Sequence, residues 1–326
     1  MQAMVFHEPG GRLVPESRPD PAPTERQVLV KIDACGVCRT DLHVQDNELP
    51  GLRYPIIPGH QAVGTVVEAG GRSSVSEGSR VGIAWLGWTC GECEYCRTQR
   101  ENLCDRGRFH GYQIDGGFAD HMLVDSRFCF ELEQSQPAGE IAPLLCAGLI
   151  GFRSLSMAGD ARHIGIYGFG SAAHIVTQVA VRQHREIYAF THHGDTATQD
   201  FARQLGAVWA GGSDASPPRQ LDAALIFAPD GRLVPKALKD LKKGSPVVCG
   251  GIHMSDIPSF PYADLWGERR IQSVANLTRR DGKEFMSLAG AMRIRPQITT
   301  YALDAANQAL DDLRHGRING TAVLTI

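Results

Sequence analysis

The sequence lacks a large excess of charge of either sign. It contains 33 Lys and Arg residues and 36 Asp and Glu residues, so its formal net charge at pH 7 is only −3. Proteins that bind nucleic acid or an anionic membrane electrostatically carry a basic surface. The charge balance therefore favours small-molecule partners, with no nucleic acid and no membrane among them.

Long hydrophobic runs are also absent. The longest apolar stretch covers residues 141–152 and includes one proline and two glycines, whereas a helix that spans a bilayer needs about 20 apolar residues. The first residues do not join a charged segment to an apolar one, as a secretory signal does. We therefore expect a soluble, cytoplasmic protein.

The nine cysteines do not suggest a disulfide framework, because their number is odd. Four of them fall close together in the sequence, at Cys90, Cys93, Cys96 and Cys104. This spacing lets four thiolates converge on one zinc ion in a closed structural site, which is poor at chemistry because no coordination position is open. A disulfide pair is the alternative, and it would leave two cysteines over. A zinc ribbon for nucleic acid is disfavoured by the acidic residues in the same segment.

The length of 326 residues predicts about two domains. Short alternating strands broken by glycine and proline fill residues 1–140, which is typical of a β-rich barrel or meander. Beyond them, strands alternate with helices, which indicates a parallel sheet covered on both faces. The predicted fold class is α/β. We expect one domain over residues 1–147 and 276–326, with the cysteine lobe at 88–106, and a dinucleotide-binding domain over 148–275.

Three local expectations accompany this division. A helix is predicted over residues 140–158, with Cys146 inside it. The segment 277–285 is expected to be solvated. The closing strand, residues 321–326, has to pair somewhere, and we expect it to return to the first domain.

A glycine turn joins a predicted buried strand to a long helix. Its sequence, GFGSAA, matches the G-x-G-x-x-G/A pattern of dinucleotide-binding folds. Gly168 would make the tight turn, Gly170 would let the backbone approach a pyrophosphate, and Ala173 would allow close packing of helix on strand. The first helical residues, Ser171 and Ala172, would offer N–H groups to the phosphates. The alternative is a turn used only for packing.

The ribose end of this predicted site lacks the Asp or Glu that NAD-binding folds place after the second strand. That strand ends at Thr191, and His192 and His193 follow it. Nothing at Thr191 would repel a 2′-phosphate, so the sequence favours NADP over NAD. Asp195 could still serve a 2′-hydroxyl group if the loop turns back.

Several motifs together resemble those of a known family. They are CGVCRTDLH, PGHQAVGTVVEAG, the four-cysteine segment, LLCAG, GIYGFG and the closing strand, in that order along the chain. The sequence resembles, nearly from end to end, the zinc-dependent alcohol dehydrogenases of the medium-chain dehydrogenase/reductase superfamily. The resemblance implies a GroES-like catalytic domain and a Rossmann domain, in a homodimer or homotetramer.

The resemblance also implies a second zinc ion, at a catalytic site with one open position. Its ligands here would be Cys38, His60 and Cys146, although each has an ordinary structural explanation when taken alone. Thr40 and His43 match the family's proton relay, with Asp41 behind the zinc ligands and Arg39 at the cofactor phosphates. Trp85 and Leu86 match positions that line the substrate pocket.

The implied activity is the interconversion of alcohols with aldehydes or ketones by hydride transfer to or from NAD or NADP, in class EC 1.1.1.- (1.1.1.1 or 1.1.1.2). A polyol or sugar dehydrogenase of the same superfamily is an alternative, because it would differ only in the substrate pocket. A non-catalytic, zinc-stabilised dinucleotide sensor is the other alternative. A zinc-free reductase is disfavoured, because both thiolate sets are present.

Two positions depart from the family pattern. Gln61 stands where the family usually has a glutamate behind the catalytic zinc, and the loss of that negative charge would make the zinc a stronger Lewis acid. Thr321 stands where many relatives carry an arginine that contacts the pyrophosphate. Arg317 lies nearby in the sequence as a possible substitute.

Overall fold

The computed structural model describes residues 1–133, 136–318 and 320–326. The chain forms two compact units. Unit 1 contains Met1–Cys146, Thr278–Gly290 and Arg295–Ile326, and unit 2 contains Ala147–Leu277 and Ala291–Ile294.

The strands, numbered along the chain, are β1 Gln2–Val5, β2 Val14–Ser17, β3 Gln27–Val37, β4 Ala62–Ala69, β5 Arg80–Ile83, β6 Leu86–Trp88, β7 Arg108–Phe109, β8 His121–Asp125, β9 Cys129–Glu131, β10 His163–Tyr167, β11 Glu186–Thr191, β12 Trp209–Gly212, β13 Ala223–Ile226, β14 Pro246–Cys249, β15 Arg270–Ser273, β16 Ile298–Ala302 and β17 Thr321–Thr325.

The α-helices are α1 Arg39–Gln45, α2 Glu94–Arg97, α3 Ala138–Ile141, α4 Ala147–Met157, α5 Ser171–Arg182, α6 Thr196–Gln204, α7 Leu233–Asp240, α8 Tyr262–Leu265, α9 Arg279–Ala291 and α10 Ala306–Arg314. Short 3-10 helices cover Glu101–Leu103, Ser126–Phe128, Ala142–Leu145 and Leu303–Ala305.

Unit 1 is built on a seven-stranded sheet. Its strand order is β16-β17-β3-β4-β5-β9, and β8 also pairs with β3. Strand β3 is the longest, and Val30 and Ile32 on it are buried while Lys31 between them is exposed, as expected for a strand with one face on a core. The closing strand β17 pairs antiparallel with β3, with Ala322 opposite Val37. Its predicted return to the first domain is therefore confirmed.

Unit 2 is built on a six-stranded parallel sheet. The order is β12-β11-β10-β13-β14-β15, which is the doubly wound arrangement 3-2-1-4-5-6 when counted within the unit. Strands β13 and β14 are buried along their whole length, because helices can cover both faces of a parallel sheet. The order reverses between β10 and β13, and ligands of such folds bind at the carboxyl ends of the strands there. The predicted α/β fold class is confirmed.

Helix α9 begins within the segment 277–285, which was predicted to be solvated. Arg280, Lys283 and Glu284 are exposed as predicted, but the prediction is wrong for the buried residues Leu277, Thr278, Asp281 and Phe285. Thr278 and Asp281 cap the helix reciprocally, with Thr278 N–H donating to Oδ2 at 2.8 Å and Asp281 N–H donating to the Thr278 hydroxyl at 3.1 Å. Phe285 on this helix is fully buried. The T-x-x-D pattern resembles a helix-capping box, and it was the available signal.

No single helix among the described residues is long and apolar enough to cross a bilayer. One bent pair, Ala138–Leu145 with Ala147–Met157, passes that test jointly on length and composition alone. Leu144, Leu145 and Leu149 on this pair are fully buried.

Candidate functional site

The first candidate metal ligand lies where β3 ends and α1 begins. Cys38 is the N-cap residue of α1 and has an extended backbone, with φ −138° and ψ 179°. Its Sγ atom accepts a hydrogen bond from the N–H of Thr40 at 3.4 Å, and its own N–H donates to Oδ2 of Asp41 at 2.8 Å. This reciprocal capping fixes the sulfur at a helix N-terminus, where negative charge is favoured.

Asp41 connects α1 to the turn that carries His60. Asp41 is 0% exposed and His60 is 1% exposed. Oδ1 of Asp41 accepts the N–H of Gly59 at 3.1 Å and lies 3.4 Å from Nδ1 of His60. Nε2 of His60 lies 3.2 Å from Sγ of Cys38. The carboxylate thus favours the proton on Nδ1 and directs Nε2 toward the thiol, as metal-binding histidines require.

The third candidate ligand, Cys146, lies at a break between two helices. The predicted uninterrupted helix over residues 140–158 is wrong at this point, because Cys146 has φ −133° and ψ −72°. The preceding turn, Ala142–Leu145, is a 3-10 helix with a proline in its first turn, and α4 starts only after Cys146. Proline cannot donate the N–H bond of an α-helix, which accords with the 3-10 turn at this point, and the backbone leaves helical geometry at Cys146.

The three side chains converge on one small region. Sγ of Cys38, the ring of His60 and Sγ of Cys146 each offer a donor atom, and these atoms all lie within 4.8 Å of one another. A hydrogen bond from the Cys146 thiol, acting against burial, holds the pKa of Cys38 well below its ordinary value. The same bond, together with burial, raises the pKa of Cys146.

The electrostatics of this region favour a positive charge among the donors. Burial alone would lower the pKa of His60, but the Cys38 thiolate and the Asp41 carboxylate outweigh it and raise that pKa to about 10. Two sulfurs and one imidazole nitrogen suit zinc and leave the fourth position of a tetrahedral ion open. The residues therefore fit a catalytic zinc ion.

Gln61 is a fully buried residue beside His60, and its amide has no hydrogen-bond partner among the described residues. Its side chain lies against β3, since a Cβ atom at Gly36 would come within 2.9 Å of its Cδ atom. A buried polar group without a partner costs on the order of 1–3 kcal/mol. Gln61, which stands where the family usually has a glutamate, is therefore tightly enclosed by the protein.

The second thiolate set forms a lobe between β6 and β7. Sγ of Cys90 lies 3.8 Å from Sγ of Cys96 and 3.6 Å from Sγ of Cys104. With Cys93, all four sulfur atoms lie within 4.8 Å of one another. The backbone N–H groups of Glu92 and Cys93 donate to the Cys90 sulfur and lower its pKa to about 6. Four sulfurs in this arrangement fit a closed tetrahedral zinc site.

An ion pair that the sequence analysis missed joins this lobe to α9. Glu101 is 3% exposed, and its Oε1 atom accepts hydrogen bonds from the N–H and Nε of Arg279 at 2.9 and 3.1 Å. Burial would raise the pKa of Glu101, but its hydrogen bonds to Arg279 lower it overall. The two residues are 178 positions apart, and no local pattern could have joined them.

Trp85 belongs to an aromatic wall beside His60. The ring centroids of Trp85 and His60 are 6.3 Å apart. Trp85 also stacks on Phe109 at 4.3 Å and lies parallel to Tyr112 at 6.3 Å. Phe109 and Tyr112 were not predicted to belong to this wall, although the aromatic spacing F-x-x-Y is visible in the sequence. Leu86, which was predicted to line the substrate pocket together with Trp85, is 3% exposed.

The two predicted relay residues lie on α1. Thr40 is half-buried, and the side chain of His43 is 16% exposed. Nδ1 of His43 pairs with Oε2 of Glu48, and the N–H of Glu48 donates to the carbonyl of His43 at 2.9 Å. Glu48 was not predicted to contact the relay. Arg39, predicted at the cofactor phosphates, is exposed at the start of the same helix.

In unit 2, the glycine turn has the predicted local geometry. Gly168 has φ +88°, and a Cβ atom there would lie 2.7 Å from Ala228, so the position requires glycine. Gly170 is the N-cap residue of α5 and makes no side-chain capping hydrogen bond. The space beside it is open, because a Cβ atom placed there would have no heavy atom within 4 Å. Ala173 is fully buried. Ser171 and Ala172 open the helix, whose N-terminus suits a phosphate group.

The predicted ribose-binding residues are partly engaged within the protein. Thr191 is 4% exposed, and its hydroxyl donates to the carbonyl of His192 at 3.0 Å and accepts from Nε2 of Gln199 at 3.1 Å. Asp195 caps α6 by accepting the N–H of Thr198 at 3.0 Å. His192 is exposed and is the freest of the three side chains.

The closing strand offers no arginine at Thr321, which is 3% exposed. Arg317, considered as a substitute, donates from Nε to Asp312 at 2.7 Å.

Comparisons with known proteins agree with this geometry. Residues 24–134 match the family model described as the alcohol dehydrogenase GroES-like domain. The chain is 45% identical over 317 residues to the probable alcohol dehydrogenase AdhA of Mycobacterium tuberculosis, covering 94% of this chain and 90% of that protein. Among solved structures, a cinnamyl alcohol dehydrogenase from Sorghum bicolor matches with a TM-score of 0.90 and 25% identity, over 99% of this chain and 97% of that one. The acetophenone reductase of Geotrichum candidum in complex with NAD matches with a TM-score of 0.87 and 26% identity, over 100% and 97% of the two chains.

The fold and the two thiolate sets define a zinc-type medium-chain dehydrogenase. The chain belongs to the alcohol dehydrogenase family of that superfamily. The resemblance inferred from the motifs is confirmed, and so is the class of alcohol and carbonyl oxidoreductase.

We predict that Gln61→Glu shifts the pH profile of alcohol oxidation toward higher pH and speeds loss of zinc to a chelator. The new carboxylate adds negative charge beside His60, which weakens the Lewis acidity of a bound zinc and offers an alternative ligand. Steady-state rates across pH and the rate of zinc transfer to a colorimetric chelator measure the two effects.

Gln204→Glu is the matched control, because Gln204 is an exposed residue on α6. It should leave both measurements unchanged. An unaltered pH profile and an unaltered zinc release rate in Gln61→Glu would show that the residue does not influence the metal.

Proposed function

We propose that this chain is a zinc-dependent alcohol dehydrogenase that interconverts alcohols with aldehydes or ketones, using NAD or NADP. The observation that supports this most is the convergence of Cys38, His60 and Cys146 with their donor atoms within 4.8 Å of one another. A structural site alone would not need this second, three-membered set, which leaves one position of a zinc ion free for a substrate oxygen.

The two bound groups would divide the chemistry, with zinc acting as a Lewis acid on the substrate oxygen and the nicotinamide exchanging hydride with carbon. The protein supplies the framework. Cys38, His60 and Cys146 would hold the zinc, and Asp41 orients the imidazole of His60 through Nδ1. Cys90, Cys93, Cys96 and Cys104 would hold the second, structural zinc.

We assign the transfer of the hydroxyl proton to Thr40 and His43 on α1. A threonine hydroxyl can both donate and accept a hydrogen bond, so it can pass a proton on. Histidine changes charge near neutral pH and is suited to release that proton to water. Glu48 pairs with Nδ1 of His43 and would help to orient its imidazole.

For the cofactor, we propose that the glycine turn with Gly168, Gly170, Ser171, Ala172 and Ala173 binds the pyrophosphate, with Arg39 as a further phosphate contact. The absence of a carboxylate at the end of β11 favours NADP. Two observations weigh against a strong preference. The Thr191 hydroxyl is already engaged, and the acetophenone reductase that this chain resembles was solved with NAD.

The aromatic wall of Trp85, Phe109 and Tyr112 supports an apolar substrate over a polyol or sugar. These rings present carbon surface beside His60, whereas a site for several hydroxyl groups needs polar partners. Within EC 1.1.1.-, we therefore propose 1.1.1.1 or 1.1.1.2 and alcohols with aliphatic or aromatic carbon chains.

We propose a homo-oligomer that forms through the edge of the unit 2 sheet. Strand β15 is an edge strand, and Tyr262 and Trp266 near it are 72% and 61% exposed. Edge strands and exposed aromatic rings promote association with a second copy. Sedimentation of the native protein as a monomer would contradict this proposal.

The metal content tests the central proposal. We predict two zinc ions per chain, of which Cys38→Ala removes one and reduces kcat/KM by at least about a thousandfold, since the Lewis acid is lost. Cys104→Ser should remove the other and lower the midpoint of thermal unfolding, because a closed zinc site contributes to folding. Elemental analysis, kinetics and calorimetry measure these outcomes.

Cys249→Ala serves as the control, because Cys249 is a buried cysteine outside both sets, and it should keep both zinc ions. One tightly held zinc and no turnover in the unmodified protein would favour the non-catalytic dinucleotide sensor.

The relay makes a separate prediction. His43→Gln should depress alcohol oxidation most at low pH, where hydroxide is scarce, and added imidazole should restore part of the rate. The rate would fall by about 10- to 100-fold at the acid end of the profile. Equal loss at every pH, without rescue, would remove His43 from the relay.

The cofactor proposal is tested with initial rates for NAD and NADP on one panel of aliphatic, aromatic and polyhydroxy alcohols. We predict a higher kcat/KM with NADP and with the apolar alcohols. Thr191→Asp should reverse the cofactor preference by repelling the 2′-phosphate. A preference for NAD in the unmodified protein, or for the polyols, would contradict the corresponding proposal.

A further inference from the structure

Unit 1 contains a cavity of about 820 Å³ that the proposed catalytic site does not use. It lies between the start of β3 and the strands β6 and β7, beside the cysteine lobe. We call it the Trp88 cavity, and the lining residues used below are Arg26, Gln27, Trp88, Arg108, His110 and Gln113.

Two arginines that line the Trp88 cavity, Arg26 and Arg108, form no ion pair with a carboxylate among the described residues. Two carboxylates also line the cavity, and both are paired, Glu25 with Arg72 at 3.2 Å and Asp125 with Arg127 at 2.6 Å. The guanidinium of Arg108 lies 5.7 Å from the ring centroid of Trp88. The cavity therefore combines free positive charge with an aromatic surface.

The glutamines of the cavity add donors rather than acceptors. Oε1 of Gln27 accepts from the N–H and hydroxyl of Thr24 at 3.1 and 2.6 Å. Oε1 of Gln113 accepts from the N–H of Phe109 at 3.1 Å. Both carbonyl oxygens are thus occupied, and the Nε2 groups are left to donate to a ligand. A site that offers cations and N–H donors selects an anion.

His110 is an independent sign of a binding site. It is 1% exposed, its Nδ1 bonds to the carbonyl of Ala84 at 2.8 Å, and its Nε2 has no partner in the described part of the chain. Nε2 lies against Gly87, which also lines the cavity, since a Cβ atom at that residue would lie only 2.6 Å from Nε2. Buried polar atoms are nearly always satisfied, so an unpaired one at a cavity wall indicates a missing partner.

We propose that the Trp88 cavity binds a small aromatic anion, a planar ring that carries a carboxylate or a phosphate group. The ring lies against the indole of Trp88, and the anionic group is held by Arg26 and Arg108. Aromatic pairs and charge-assisted hydrogen bonds to guanidinium are the interactions that these residues offer. The site is distinct from the proposed catalytic zinc site and does not depend on the proposed activity.

The test uses the zinc-loaded protein, saturated with the reduced cofactor. The cofactor then fills the proposed dinucleotide site, so that the anionic probes cannot bind there. Benzoate and phenyl phosphate are titrated while the indole N–H resonance of Trp88, assigned with Trp88→Phe, is followed by NMR. We expect a saturable shift at millimolar concentrations with at least one of them. Cyclohexanecarboxylate and inorganic phosphate should bind at least about fivefold more weakly, because neither can stack.

The variants locate the binding. Arg26→Gln and Arg108→Gln should each weaken it about tenfold, as the loss of one charge-assisted contact implies. Arg97→Gln, an exposed arginine on α2 outside the cavity, should not. If only benzoate binds, the anion is a carboxylate; if only phenyl phosphate binds, it is an aromatic phosphate.

Three results would overturn the proposal. The first is no shift of the Trp88 resonance with either probe. The second is a shift that Arg26→Gln and Arg108→Gln leave unchanged, which would place the anion elsewhere. The third is a change of sedimentation in these two variants without any ligand binding, which would make the cavity an interface between copies of the chain.

Discussion

The proposed catalytic site depends on one buried carboxylate. Asp41 accepts hydrogen bonds from the N–H groups of Cys38 and Gly59 and faces Nδ1 of His60. It thereby fixes the start of α1, the turn before β4 that carries Gly59 and His60, and the orientation of the imidazole with a single side chain. Gly59 has φ +94°, and a Cβ atom there would lie 2.3 Å from Phe118. The turn is therefore closely packed against Phe118, with the carboxylate within reach of both ligands.

The burial of Asp41 explains why this arrangement needs a cation. Burial raises the pKa of Asp41, and the Cys38 thiolate raises it further, whereas the charge on His60 opposes them. Two acidic groups so close together are stable in the ionised state only if positive charge lies between them. A proton on His60 supplies one charge, and a divalent metal would supply two. The pocket is therefore organised around a cation before any substrate enters.

Local patterns in the sequence predicted the parts of the site that are local in the chain. The cysteine lobe and the glycine turn each lie within short segments, and their spacing defines their geometry. Patterns could not predict contacts between distant positions, such as Glu101 with Arg279 or the stacking of Trp85 on Phe109. They also failed at Cys146, where apolar periodicity predicted a continuous helix but the backbone leaves helical geometry. Only the resemblance to a family joined Cys146 to Cys38 and His60.

Gln61 is best understood through the charge of this pocket. A glutamate there would be one more anion beside Cys38 and Asp41, and without metal it would be costly to keep ionised. The neutral amide removes that repulsion, but its own nitrogen and oxygen atoms have no partners in the described structure. The glutamine therefore carries the modest desolvation cost of an unpaired amide at all times. A glutamate would instead carry the larger cost of an extra buried negative charge whenever the metal is absent. The glutamine should therefore make the metal-free pocket easier to fold, while the zinc loses an alternative ligand that could assist its exchange.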